Sequence, residues 1–421
     1  VLARAPLAGG PPREVSRSVV AADWNADASE FAIVRYHDHR FRLEYPIGTP
    51  LAWAEGSVSR LRLSPDGSLV ALAEHPLLGD DRGRVVVVNG QGERIAVSGD
   101  WGSMDGVAWS PSGDEVWFTA TRVGAECELH AMALDGSVRT VHAAMGRLVL
   151  HDIAPDGRVL LERTGLRSET WFHREGASED RELTWLDVTG TEGLSADGTQ
   201  VLLVESGEGG GADYMSYLRP TDGSLPVRIG PGRATSLSLD GKWALMIPVR
   251  EPDHVEIVPT GPGRSRRVEI PDLARYDMAG WLPDGKSFYV TTRGAEGARA
   301  TWLVDAAGGE PHRLPLPDGV AVYYNTFSPR GDRFVARCPE SKSHCVYETA
   351  GGDPRELVQA ESEWVPVAWD RNDQVFFRER KGRIPEVLWR VDVETGQPQR
   401  VAEISPRDRS GVLGLSRVSV A

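Results

Sequence analysis

The chain has 421 residues and a net charge of −14, with no basic block and no apolar run approaching the ~18 residues a membrane helix needs. Phosphate neutralisation, and with it nucleic-acid binding, is therefore not expected, nor is a membrane span; the acidic surface reads as serving solubility. With Gly 46 and Pro 28, the composition predicts many turns. In chain order, the opening VLARAPLAGGPPREV (1–15) predicts two short strands. It starts at Val1 without Met or an apolar signal core, as expected of a processed or excised piece. YHDHRF (36–41) then places His37 and His39 on one side of a strand or turn, around Asp38. Two imidazoles at i, i+2 can chelate a metal, but zinc takes three or four ligands and no third stands nearby, so a solvated hairpin tip is expected.

LSPDGSLVALAEHP (63–76) introduces a turn that the chain writes repeatedly: WSPSGDEVWFTAT, IAPDGRVLLERT and LSADGTQVLLVES follow. Proline presets φ for the first corner, the Asp carboxylate accepts nearby backbone N–H groups, and Gly takes the left-handed corner. The Gly position or its equivalent falls at Ala28, Gly67, Gly113, Gly157, Gly198, Gly241, Gly285, Gly331 and Asp373. Four positions earlier stand Trp24, Leu63, Trp109, Ile153, Leu194, Leu237, Trp281, Phe327 and Trp369. Three positions later stand Phe31, Val70, Val116, Leu160, Val201, Ala244, Phe288, Phe334 and Phe376. All are apolar, and a spacing of 39 to 46 residues built from short strands is the period of propeller blades.

Each period continues with a variable loop, a third strand ending in Gly (ELHAMALDG, ATWLVDAAGG, VLWRVDVETG) and a short fourth strand. The expected fold is therefore all-β: a β-propeller of four-stranded antiparallel blades, nine units plus a partial one. Blades are expected to start near residues 20, 59, 105, 149, 190, 233, 277, 323 and 365. Segments 1–15 and 411–421 would supply strands of a partial blade, the latter an inner strand. Nine units exceed the usual ring of 4–8 blades, so two rings, with a boundary near 149, are favoured over one unusually large ring.

Candidate chemistry is sparse. The inner strands of a propeller line its channel, and there the sequence places Asp105, His151, Asp152, Glu192, Asp277 and Asn325. Converging polar groups could hold a small ligand or a cation such as calcium, or could merely solvate a wet channel. No catalytic residue, metal site or cofactor is expected. Cys338 and Cys345 bracket PESKSH between two strands of one blade, where a hairpin can bring them within disulfide range; spacing alone leaves open whether they are bonded. Cys127 reads as a buried small hydrophobe. ESGEGGGADY (205–214) is followed by a strand rather than a helix, so it reads as a loop and not as a phosphate cradle. Arg330-Gly331-Asp332 is the repeat turn, and GDDRG (79–83) a surface turn with two adjacent carboxylates, a weak candidate for calcium. Neither a Gly-x-Ser-x-Gly elbow nor a His-Glu-x-x-His pair occurs.

WSPSGDEVWF, LSPDGSLVAL and WLPDGKSFYV resemble the TolB-type, WD40-like (PD40) propeller repeat over essentially the whole chain. RFRLEYPIGTPL, EHPLLGDDRG, SGDWGSMDGVAWSPSGDEVWFTA, RLVLHDIAPDGRVLLER and ADYMSYLRPTDGS further resemble the propeller region of bacterial eukaryotic-like serine/threonine kinases. That resemblance implies a non-catalytic sensor or interaction module, outside the cytoplasmic membrane, that binds a protein, peptide or cell-envelope ligand. The kinase signatures themselves are absent from the chain. Two further readings share the repeats: the gating propeller of a prolyl-oligopeptidase-type serine peptidase, whose hydrolase domain is not in this chain, and a propeller enzyme with a channel metal, such as a polysaccharide lyase. The second would need clustered ligands, and the ten His are scattered.

Overall fold

The computed structural model describes residues 1–420 apart from 38–39, 77–79, 271–274, 295–298, 323–325, 340, 342, 359–363 and 381–383. Among the described residues, antiparallel strands run from Leu2 to Ile404, interrupted by one 3-10 stretch at Glu208–Asp213 in the loop rich in glycine. Among the described residues seven sheets are four-stranded, each built from four consecutive strands, as a propeller blade is. We number the repeat units as blades 1 to 9: 19–54, 57–97, 103–142, 147–164, 189–231, 233–268, 276–313, 326–358 and 364–404. Among the described residues, blade 4 is a two-stranded hairpin, and blade 8 has three strands plus a bridge from Phe327 to Phe334. The chain forms two compact units, Val1–Leu166 with blades 1 to 4 and Arg167–Ala421 with blades 5 to 9.

The central strands explain why blades need neighbours. In blade 2, RVVVVN (Arg84–Asn89) is buried along its length. Alternation sends Val86 and Val88 into a cluster with Leu43 and Leu61, and Val85 and Val87 into another with Trp109 and Phe118. Fully burying such side chains stabilises by roughly 1.5–3 kcal/mol each, and only adjacent sheets on both sides can do it. Blade 5 does the same with Leu202 and Val204 against blade 6, and Val201 and Leu203 against Leu183 and Trp185.

The recurring turn has one geometry. All nine positions from Ala28 to Asp373 have positive φ, between 56° and 85°, although Ala28 and Asp373 are not glycine. A serine opens five of the turns and does more than fill space. Ser195 Oγ donates to Asp197 (2.7 Å) and accepts the Gln200 N–H (3.0 Å). Ser64, Ser110, Ser238 and Ser328 repeat this double bond to an Asp and to the backbone five residues on. Hydrogen bonds from Ser195 and Thr199 hold the Asp197 carboxyl down at about 2.

Two expectations need correction. In blades 4 and 9 the turn is one residue shorter: Ala154 N–H bonds to Arg158 and Asp370 N–H to Gln374, where Ser64 reaches Leu69. Val159 and Val375, not Leu160 and Phe376, therefore pair with the pre-turn residue, and Leu160 is 62% exposed. A one-residue slip exchanges the two faces of a strand. Trp24, one of the apolar pre-turn residues, is 57% exposed because its cross-strand partner Phe31 alternates with Ala32, which faces blade 2. The segment 411–420 carries no ladder; it is held by side-chain bonds described below. The opening strands Leu2–Arg4 and Arg13–Ser16 pair with each other.

A candidate ligand cavity on the inner strands of the second unit

Eight innermost strands carry a β-bulge in their pairing with the second strand. The extra residue is left out of the ladder and its side chain is re-aimed. His151, Glu192 and Asp277 are such residues, and Asp105 and Asp152 flank one.

In the first unit these groups are occupied locally. Asp105 pairs with Arg60 (3.0 Å) and lies 3.8 Å from Arg147, whose guanidinium also holds Asp81 (3.0 Å). His151 Nε2 meets Glu162 at 2.7 Å, with both side chains half exposed, and the Asp152 carboxylate accepts its neighbour's N–H from Ile153. Asp23, which the sequence reading did not single out, accepts the Leu63 N–H (2.9 Å) across the first two blades. Burial pushes its carboxyl up against that bond and the nearby Arg62. Asp80 accepts the Arg82 N–H (2.9 Å), and its partner in the suggested calcium pair, Asp81, also takes the Ser103 hydroxyl (2.6 Å). His37 lies at the exposed end of the strand Phe31–His37; Asp38 and His39 lie outside the described residues, as does Asn325.

In the second unit Asp277 is ringed by Arg293 (2.7 Å), Arg275 (3.7 Å) and Arg299 (3.8 Å), a charge cluster that ties the strand ends of blade 7 together. Glu192 is placed differently. It opens into a cavity of about 690 Å³ walled by the inner corners of blades 5 to 9, among them Ser236, Tyr289, Phe327 and Trp369. The volume falls within the range of small-ligand and peptide-residue sites. Tyr289 fits because Gly280 faces it: a Cβ there would stand 2.4 Å from the ring. The Glu192 carboxylate receives the Arg417 guanidinium, with 13% and 26% of the two side chains exposed, and burial pulls the Arg417 pKa down. Arg378, almost fully buried, pairs with Glu386 (3.1 Å) and donates Nη1 to the Leu415 carbonyl oxygen (3.3 Å). Burial raises the Glu386 carboxyl against the pull of Arg378. Neither Arg378 nor Arg417 figured among the sequence candidates. A single arginine inside the apolar GVLGLSRVSV was the available signal, since a charge in such a run requires a buried partner.

Elsewhere, the Cys338 and Cys345 sulfurs are bonded across the hairpin of blade 8, with Cα atoms 5.1 Å apart. Cys127 is buried beside Ser103, and burial pushes its thiol up. Arg330-Gly331-Asp332 adopts the repeat turn, with Asp332 accepting Ser328 Oγ. Among the described residues no group of three or more His, Cys, Asp or Glu is disposed to hold a metal, and no helix is long and apolar enough to cross a membrane.

These features define a β-propeller protein with a ligand-sized cavity on its inner strands. No family model matches the chain, and no curated protein matches it. Among solved structures it is similar to TolB from Acinetobacter baumannii, at 13% identity over 80% of this chain and 77% of that one, with a TM-score of 0.39. It is likewise similar to a puromycin hydrolase (18%, 72% of this chain, 54% of that one, TM-score 0.38). A third is an oligogalacturonate lyase in complex with manganese (11%, 81% and 99%, TM-score 0.40).

Proposed function

We propose that this chain is a non-catalytic binding propeller, the sensor or interaction region of a bacterial signalling kinase, working outside the cytoplasm on a protein, peptide or cell-envelope ligand. The observation that carries the reading is the cavity of the second unit. Two of its arginines are committed to ion pairs, Arg417 with Glu192 and Arg378 with Glu386, and its walls mix aromatic and apolar side chains such as Tyr289, Phe327 and Trp369 with polar ones such as Ser236 and Asn372, an arrangement suited to recognition. The Cys338–Cys345 bond supports an oxidising compartment. The kinase assignment rests on the wording between repeats, such as RLVLHDIAPDGRVLLER. The alternative, a gating propeller for a prolyl-oligopeptidase-type hydrolase, uses the same blades. Intact mass and peptide mapping of the native protein separate them. A kinase domain and membrane span before Val1 are expected; a hydrolase domain after Ala421 would overturn the kinase reading in favour of the gate.

A further inference from the structure

Residues 416–420 line the cavity, whereas 411–414 are exposed, and nothing pairs the segment into a sheet. Its hold is of two kinds. Arg378 grips the backbone, donating to the Leu415 carbonyl oxygen at 3.3 Å. Glu192, thrown out of register by its bulge, receives the one basic side chain, Arg417. Around these anchors Ser416, Val418 and Val420 run along walls that include Ser236 and Trp369. One backbone reader and one acidic subsite, with apolar or small residues between, constitute a reading frame for a peptide. The forces also differ from those inside a blade. The neighbouring strand Trp364–Trp369 is fixed by five residue pairings to its partner, whereas the segment has no ladder to lose.

We propose that the cavity of the second unit is a recognition groove for an extended peptide bearing a single arginine between small apolar residues, and that 415–420, whose residues from Ser416 onward line it, is a displaceable internal occupant. This rests on the binding reading above and names the ligand class for it. Glu192 supplies specificity for a cation; Arg378 tolerates any sequence because it reads a carbonyl. A guanidinium is favoured over an ammonium because its planar fork matches a carboxylate. A tethered occupant competes at high effective concentration, so a free partner engages the groove only when it exceeds that concentration or when the tether is drawn away.

The test uses the full chain and a fluorescein-labelled peptide of sequence GVLGLSRVSV, read by fluorescence polarisation. In Arg417→Ala the internal occupant loses its anchor, and the peptide is expected to bind at least about tenfold tighter than to the unaltered chain. Replacing the peptide's arginine by alanine should weaken that binding about tenfold or more, as loss of a charge-assisted bond does. As a control against misfolding, Glu192→Arg combined with Arg417→Ala leaves the occupant unanchored, and should reject the arginine peptide in favour of one carrying glutamate in its place. Equal binding to the unaltered and Arg417→Ala chains, or indifference to the arginine, overturns the proposal. So does dimerisation of Arg417→Ala in place of peptide binding, which would assign the groove to a second copy. Cleavage of the bound peptide would instead refute the non-catalytic reading while leaving the groove assignment standing.

Discussion

Ala28 and Gly67 occupy equivalent corners in blades 1 and 2, at φ 56° and 73°, and offer a reciprocal experiment. An alanine in the left-handed region costs about 1–2 kcal/mol in the folded state. Glycine gives back about 0.4–1 kcal/mol through its freer unfolded chain. Ala28→Gly should therefore stabilise the first unit by about 0.5–1 kcal/mol. Gly67→Ala runs the other way, and its new Cβ would lie 3.3 Å from Tyr45 Oη and 3.9 Å from Asn25 Cβ. The hydroxyl can shift, so the steric addition is small, and after the same unfolded-chain term the expected loss is about 0.5–1 kcal/mol. The two variants should differ by roughly 1.5 kcal/mol, or about 3–6 °C in Tm for a unit of this size. Differential scanning calorimetry of both variants beside the unaltered chain reads this directly. An Ala28→Gly variant that melts lower, or a neutral Gly67→Ala, would refute the claim that one left-handed corner recurs through the repeats.

Further outcomes follow from the same structure. Glu44, fully buried between Arg35 and Arg42, has its carboxyl pulled from 4.5 to about 2, chiefly by the Arg35 hydrogen bond. The folded pKa is depressed, so the stabilisation is complete above pH 4.5 and is lost as pH falls towards 2. Glu44→Gln should cost about 3 kcal/mol at pH 7 and flatten the acid limb of denaturant-unfolding curves in that window. Ser195→Ala removes the acceptor for Gln200 N–H and the donor to Asp197; a loss of about 1–2 kcal/mol is expected, with the Asp197 carboxyl rising towards its ordinary range in an NMR titration. Leu160→Ser should change stability by less than about 0.5 kcal/mol, against about 2–3 kcal/mol for Val201→Ser at the nominally equivalent position. Equal costs in urea titrations would contradict the shorter turn of blade 4.

Much of the blade architecture could be read from the chain because each turn combines backbone chemistry with apolar flanks. Gly113 and Gly241 announce left-handed corners, and Val116 and Ala244 announce buried strand starts. Where that failed, the cause was a length difference of one residue. Leu160 and Phe376 are apolar, as the pattern required, but the shorter turns moved pairing to Val159 and Val375. The serines were missed as structural groups because one hydroxyl bonds an aspartate and a backbone N–H at once, which composition does not reveal. Glu192 was legible as an inner-strand carboxylate, but its partner was not. Arg417 lies 225 positions away, and nothing in local spacing joins the two. Asp277 was legible too, yet the three arginines around it make it a tie within blade 7.

The most direct test of the central claim is a turnover assay of the purified chain, by mass spectrometry, on a mixture of proline-containing peptides, oligogalacturonate and ATP with a protein acceptor. A recognition propeller in which Glu192 is held by Arg417 and Arg378 by Glu386 should return every substrate unchanged over prolonged incubation. Cleavage or transfer that co-purifies with the chain and disappears in Glu192→Ala would contradict it, and would make the cavity an active site.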